Sequence, residues 1–244
     1  MPADTGEKAC PWSHSTDKKT MAESTVEAAR YALLRRLAPA IRHRVVGKLH
    51  PIGLIAETME WQIQEAGPNL EKVQDSIAKI NSLSRTAMLT FTSQISWLAR
   101  EGRAITTVAD GVEDCLALLH TDFELRGFSI ENNVRAGDVY ISLNAVRNVL
   151  ASALIAVADA APGPAKLALS ADVEKKQLLL SILISPTADV PSISSATIYR
   201  RLEWHDVQAL ARAESVNLSR HGERIEMRYT IEDKGVSSPP STAG

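Results

Sequence analysis

Between residues 23 and 100, apolar side chains recur at the spacing of a helix for far longer than an ordinary globular helix needs. Leu34, Leu37, Ile41, Val45, Ile52, Ile55, Met59 and Ile63 stand three or four residues apart, or at sums of these, as one stripe of a long amphipathic helix requires. Ala66-Gly67-Pro68-Asn69 interrupts the stripe with turn-forming residues, and Leu70, Val73, Ile77, Ile80, Ala87, Phe91, Ile95 and Leu98 resume it until Arg100. The pattern predicts a helical hairpin over 23–101. Two helices alone leave each stripe half covered, so the hairpin is expected to pair with a second copy as a four-helix bundle, which makes the chain a homodimer.

After Glu101-Gly102-Arg103 the periods shorten. A helix is expected from Val108 to Arg126, stopping at Gly127, followed by short strands near 129–134 and 139–141. Ser142 is suited to cap a second helix over 143–161, which must end before Pro162-Gly163-Pro164. Two richer strands, 165–173 and 177–185, turn at Glu174-Lys175-Lys176; a helix over 202–214 and a strand over 224–231 close the domain. This order describes an α+β chain: the hairpin, then over 102–232 an α/β sandwich with helices on one face of a mixed sheet. Residues 1–22 and 233–244 hold too little apolar surface to bury and are expected to be a disordered leader and tail.

Composition narrows the function. Of 244 residues, 27 are Lys or Arg and 29 are Asp or Glu, for a formal charge of −2, so no overall positive field favours nucleic acid or an anionic membrane. The two cysteines, Cys10 and Cys115, have no metal-binding spacing and suit a reducing cytoplasm. No run is expected to approach the ~18 apolar residues that cross a bilayer, which points to a soluble, cytoplasmic chain.

The chemistry-bearing candidate lies on the first hairpin helix, in His43-Arg44-Val45-Val46-Gly47-Lys48-Leu49-His50-Pro51-Ile52. With Ile41 and Val45 in the apolar seam, His43 is rotated by about 200° from each and points to solvent. Arg42, Arg44 and Lys48 surround it, and cations there would stabilise the oxygens of a phosphoryl group in transfer. A neutral imidazole is a competent nucleophile near neutral pH. His50, about 20° away around the helix, shares the exposed side, and Pro51 beside it disturbs the backbone bonding.

A hairpin of this kind followed by an α/β sandwich resembles the body of a two-component histidine kinase, over roughly residues 23–231. The family's motif has a leucine six residues after its histidine, a spacing that His43 and Leu49 satisfy and that selects His43 over His50 as phosphoacceptor. Four departures matter. Active kinases carry a carboxylate directly after the histidine, as the base for attack on ATP, and here Arg44 stands in that place. The resemblance also implies an asparagine that helps hold magnesium; aligned on Asp159-Ala160, its position is Ala156, which cannot coordinate a cation. The expected Asp-x-Gly-x-Gly turn is absent from Ser185-Pro186-Thr187-Ala188-Asp189-Val190, and no glycine occurs between Thr187 and Arg220 to build a phosphate-cradling lid.

The resemblance therefore implies a dimeric histidine phosphotransferase with a degenerate ATPase-like domain. Such a chain would relay a phosphoryl group between receiver-domain aspartates through His43, with no cofactor or metal of its own and Mg²⁺ supplied by the receiver partner. The rival is a non-catalytic kinase-like dimer that binds and regulates a kinase or response regulator; a true ATP-dependent kinase ranks third. Asp159 and Asp189 read as solvated surface or capping residues. Trp61, Trp97, Trp204 and Met59 read as packing residues, and His120, His205 and His221 as surface or partly buried side chains.

Overall fold

In the computed structural model, the described residues are 13–66, 69–97, 102, 104–135, 137–187 and 200–233. Helix α1 runs from Ser13 to Ala66 and α2 from Leu70 to Ile95. The side chain of Asn69 accepts the Lys72 backbone N–H at 3.2 Å, so one orphan donor at the start of α2 is met by the residue that also ends the turn. Helix α1 begins at Ser13, so the leader expected over 1–22 overlaps its first turns; Lys18, Lys19, Met21, Ala22 and Glu23 are good helix formers, and low hydrophobicity alone does not forbid a helix. Residues 1–12 and 234–244 lie outside the described residues.

The sandwich contains β1 (Ile105–Thr107), α3 (Val108–Leu125), β2 (Ser129–Asn132), β3 (Tyr140–Ser142), α4 (Leu143–Ala145), a π-helical turn (Val146–Leu150), α5 (Ala151–Ala160), β4 (Ala165–Glu174), β5 (Gln177–Pro186), α6 (Trp204–Ala213), β6 (Asn217–His221) and β7 (Arg224–Thr230). Thr107 caps α3 by accepting the Asp110 N–H at 3.1 Å, and Ser142 caps α4 by accepting that of Ala145 at 3.3 Å. Strands pair in the order β2-β4-β5-β7-β6, with β2–β4 parallel and the others antiparallel, while β1 and β3 form a separate antiparallel pair. Strands β1 and β6 do not announce themselves in the sequence. Three residues are too few to show a period, and Asn217-Leu218-Ser219-Arg220-His221 is an edge strand with one apolar side chain.

Alternation along the central strands sends Leu167, Leu169, Leu178, Leu180, Ile182, Ile225, Met227 and Tyr229 into the core shared with α3, α5 and α6. Lys166, Ser170, Asp172 and Arg224 face outward. The apolar window Leu143–Ala160 is, against the sequence expectation, long and apolar enough to cross a membrane by composition; 72% of it is buried, as the central helix of this core.

One boundary falls elsewhere than the apolar stripe implied. Helix α2 returns antiparallel for 26 residues and meets α1 only over its second half, from about Ile41 onward. The earlier part of α1 packs on the sandwich: Ala29, Ala32, Leu33 and Leu37 join the common core, and Arg30 pairs with Glu214 just after α6 at 3.1 Å. Leu37 is thus a residue of the α/β core and not of the hairpin seam. Along the hairpin, Leu49 and Ile63 on α1 and Leu70, Ile77, Phe91 and Ile95 on α2 remain exposed beside the closed seam.

Candidate functional site

His43 is exposed, on the stretch of α1 between Pro39 and Pro51. Its neighbours one turn along the helix are Val46 and Gly47, and one turn back Pro39 and Ala40, so nothing bulkier than an isopropyl group stands over the imidazole. A Cβ built on Gly47 meets no atom within 4 Å, which leaves open space on that side. Arg42 and Lys48 are exposed and Arg44 is half-buried; none of the three is ion-paired among the described residues. Arg42 and Arg44 flank the imidazole at about 100° to either side, so their long stems have to curl toward a group bound at the ring.

The same strip of α1 continues past His43. His50, Leu54 and Trp61 follow at seven, eleven and eighteen residues, within about 20° of His43 around the helix. Leu54 is 56% and Trp61 59% exposed, large values for side chains with so much apolar surface. This corrects the reading of Trp61 as a packing residue: the rotation that turns His43 outward turns Trp61 outward too. Val46, Leu49, His50, Gly53, Leu54 and Glu57 line a shallow cavity of about 330 Å³ along this strip.

The other singled-out residues separate. Trp97 and Trp204 are half-buried, with the guanidinium groups of Arg147 and Arg220 over their rings at 5.0 and 5.5 Å. Met59 is half-buried; His120, His205 and His221 are exposed, with His120 beside Glu124 and His205 beside Glu203. Asp189 lies outside the described residues. Asp159 is neither solvated nor a cap. Its side chain is 3% exposed and its carboxylate accepts two hydrogen bonds from Arg36, at 2.6 and 2.9 Å, and one from the Leu202 N–H at 3.1 Å, with Arg126 at 3.2 Å. Sequence reasoning missed this cluster and the Arg147 contacts. The sequence shows a carboxylate closing an otherwise apolar helix, which by itself names no partner for it.

Among the described residues of the sandwich, a nucleotide finds little to hold it. Ala156 is buried in the core and presents no donor or acceptor side chain. The cavity at the end of α5, about 350 Å³, is lined by Val157, Ala160–Ala165, Ile184, Pro186, Thr187 and Arg220, and the Arg220 Nε is already directed to the Gly222 carbonyl at 3.3 Å. No carboxylate lines it, and no group of three or more His, Cys, Asp or Glu suited to a metal occurs among the described residues. Among the described residues, those lining this cavity do not fit a magnesium–nucleotide complex.

No family model matches the chain, and no curated protein matches it in sequence. Solved structures do. Histidine kinases are among the solved structures it resembles. The histidine kinase AdeS of Acinetobacter baumannii is 15% identical, with a TM-score of 0.42 covering 78% of this chain and 98% of that one. A histidine kinase from Burkholderia phymatum is 14% identical, with a TM-score of 0.41 over 78% and 99%. Histidine kinase ThkA, in complex with the response regulator protein TrrA, is 12% identical, with a TM-score of 0.41 over 92% and 67%. None of these scores reaches 0.5, and the function is read from the residues of this chain.

Proposed function

We propose that this chain is a dimeric histidine phosphotransferase acting in the cytoplasm, and that His43 carries the phosphoryl group. A neutral ring nitrogen attacks the phosphorus of an aspartyl phosphate on one receiver domain; the P–O bond breaks and the carboxylate leaves. An aspartate of a second receiver then attacks, and the P–N bond breaks. The exposed imidazole, set in a helix turn kept clear by Val46 and Gly47, is the observation that carries this reading. Arg42, Arg44 and Lys48 supply charge toward the transferring oxygens, and the receiver's own Mg²⁺ supplies the rest.

Leu54 and Trp61, in line with the imidazole, support docking of a receiver helix along the strip, with the shallow cavity beside Gly53 as its seat. The exposed flank of Ile63, Leu70, Ile77, Phe91 and Ile95 supports pairing with a second copy, since an apolar row of that length on a free helix pair favours association.

Incubation with candidate phosphorylated receivers tests the chemistry. Labelled phosphate is expected on the wild-type chain and on His50→Ala, and is expected to fall to background on a folded His43→Ala. Label that survives His43→Ala, or never reaches the wild type from any cognate receiver, removes the assigned nucleophile.

One observation favours a second reading, a non-catalytic regulator. Arg44 occupies the place of the base, and no carboxylate pairs with His43 among the described residues. That reading expects His43→Ala to keep biological activity while Trp61→Ala loses it.

A further inference from the structure

Both legs of the hairpin are fastened to the α/β domain by buried cations. On α1, Arg36 delivers both terminal nitrogens to Asp159 at the end of α5, with side chains 4% and 3% exposed. The same carboxylate takes Arg126, just past the end of α3, and the N–H of Leu202 on the approach to α6. Four separate segments therefore meet at one carboxylate. At the base of α2, Arg147 of the π-helical turn donates to Ser96 Oγ at 2.8 Å, lies over the Trp97 ring at 5.0 Å and reaches Asp114 on α3 at 3.4 Å. Gln94, two residues before Ser96 on α2, is buried as well.

One such fastening would leave a pivot. Two of them, on different legs and made to different helices, remove rotation about either. Each is also intolerant of small displacement, because a bidentate guanidinium–carboxylate pair and a cation over a ring both lose their geometry within about an ångström. Sliding α1 past the sandwich would strand a charge in the core, where it costs far more than at the surface. Arg30, Glu214 and Asn148 add a third contact on the α1 side.

The geometry points to a built-in lock: Asp159 and Arg147 pin the α/β domain to the hairpin, so that His43 sits at a fixed distance from that domain and the two move as one body. Arg36 lies seven residues before His43, about 10 Å along the axis and on the same side, so the pin is set directly beneath the candidate site. The lock holds whether or not His43 carries phosphate.

Spin labels at exposed Thr58→Cys on the hairpin and Asp172→Cys on the outer sheet face, in a Cys10→Ser background and diluted with unlabelled chain, read the intrachain distance by pulsed electron resonance. The wild-type background is expected to give one narrow distribution, and Asp159→Asn and Arg147→Met each to broaden it at least twofold with unchanged helix content. A broad or split distribution before either pin is cut overturns the lock, as does an unchanged narrow one after each is cut. Should Asp159→Asn fail to fold, Arg147→Met alone decides: broadening supports the lock and an unchanged narrow distribution overturns it.

Discussion

Replacing glycine by alanine in a helix interior ordinarily stabilises a protein by about 1 kcal/mol, because the chain loses less freedom on folding. Gly111 in α3 should show the opposite sign. A Cβ there meets Thr106 Cγ2 at 2.9 Å and Val146 Cγ1 at 2.9 Å, where β1 and the π-helical turn crowd onto the helix. Both obstacles are β-branched, with little rotameric freedom to withdraw, and Val146 is fully buried. Two simultaneous clashes put the overpacking cost near the top of its usual range, about 3 kcal/mol. Against the propensity gain, the net destabilisation is about 2 kcal/mol, or a fall in Tm of roughly 4–8 °C for a chain of this size. Gly47→Ala is the internal control. Its Cβ meets nothing within 4 Å, so the propensity gain survives and Tm should rise by roughly 2–4 °C. Urea and thermal unfolding followed by circular dichroism measure both. A Gly111→Ala protein as stable as wild type refutes the claim that this glycine exists to admit three elements into contact.

Two further expectations can be checked on the same protein. Burial works to raise the Asp206 carboxyl, but hydrogen bonds from Arg200 and the Glu203 N–H, with the charges of Arg200 and His205, overcome it and hold the group below the usual carboxylate range. A carboxyl depressed on folding contributes stability above its unfolded pKa of about 3.9 and loses it as pH falls toward the folded value. Arg200→Met should therefore be less stable than wild type at pH 7, by about 1 kcal/mol with a half-exposed guanidinium allowed for, and the gap in urea midpoints should narrow by pH 3; a constant gap refutes the assignment. Cys115 is fully buried and burial pushes its thiol far above the ordinary cysteine range, so a Cys10→Ser chain should resist a thiol reagent at pH 8 until urea unfolds it; prompt native labelling counts against the packed α3 core.

Periodicity made most elements legible. The long stripe showed both hairpin helices, and Glu174-Lys175-Lys176 showed the β4–β5 turn, where Lys175 does adopt a positive φ of 57°. The outward direction of His43 followed from its angle to Ile41 and Val45. Trp61 was legible by the same arithmetic, since eighteen residues complete five full turns, but apolar size argued the other way. Asp159 was not legible. Its chief partner, Arg36, stands 123 residues earlier, and nothing local distinguishes a carboxylate that ends a helix in water from one that ends it against two guanidinium groups. Leu37 misled for a related reason: an apolar stripe tells which face is covered, never which element covers it.

Helix α1, 54 residues or ~80 Å end to end, packs first on the sandwich and then on α2. Because Ala29, Ala32, Leu33 and Leu37 complete the sandwich from upstream of the hairpin, the α/β region is assembled from two stretches of polypeptide separated by the whole stem. Excising residues 102–232 would strip the core of one wall and leave a sticky remnant. The natural severable piece is instead the outer stem, beyond Ile41 and short of Gln94, an insertion carried at the middle of a discontinuous domain.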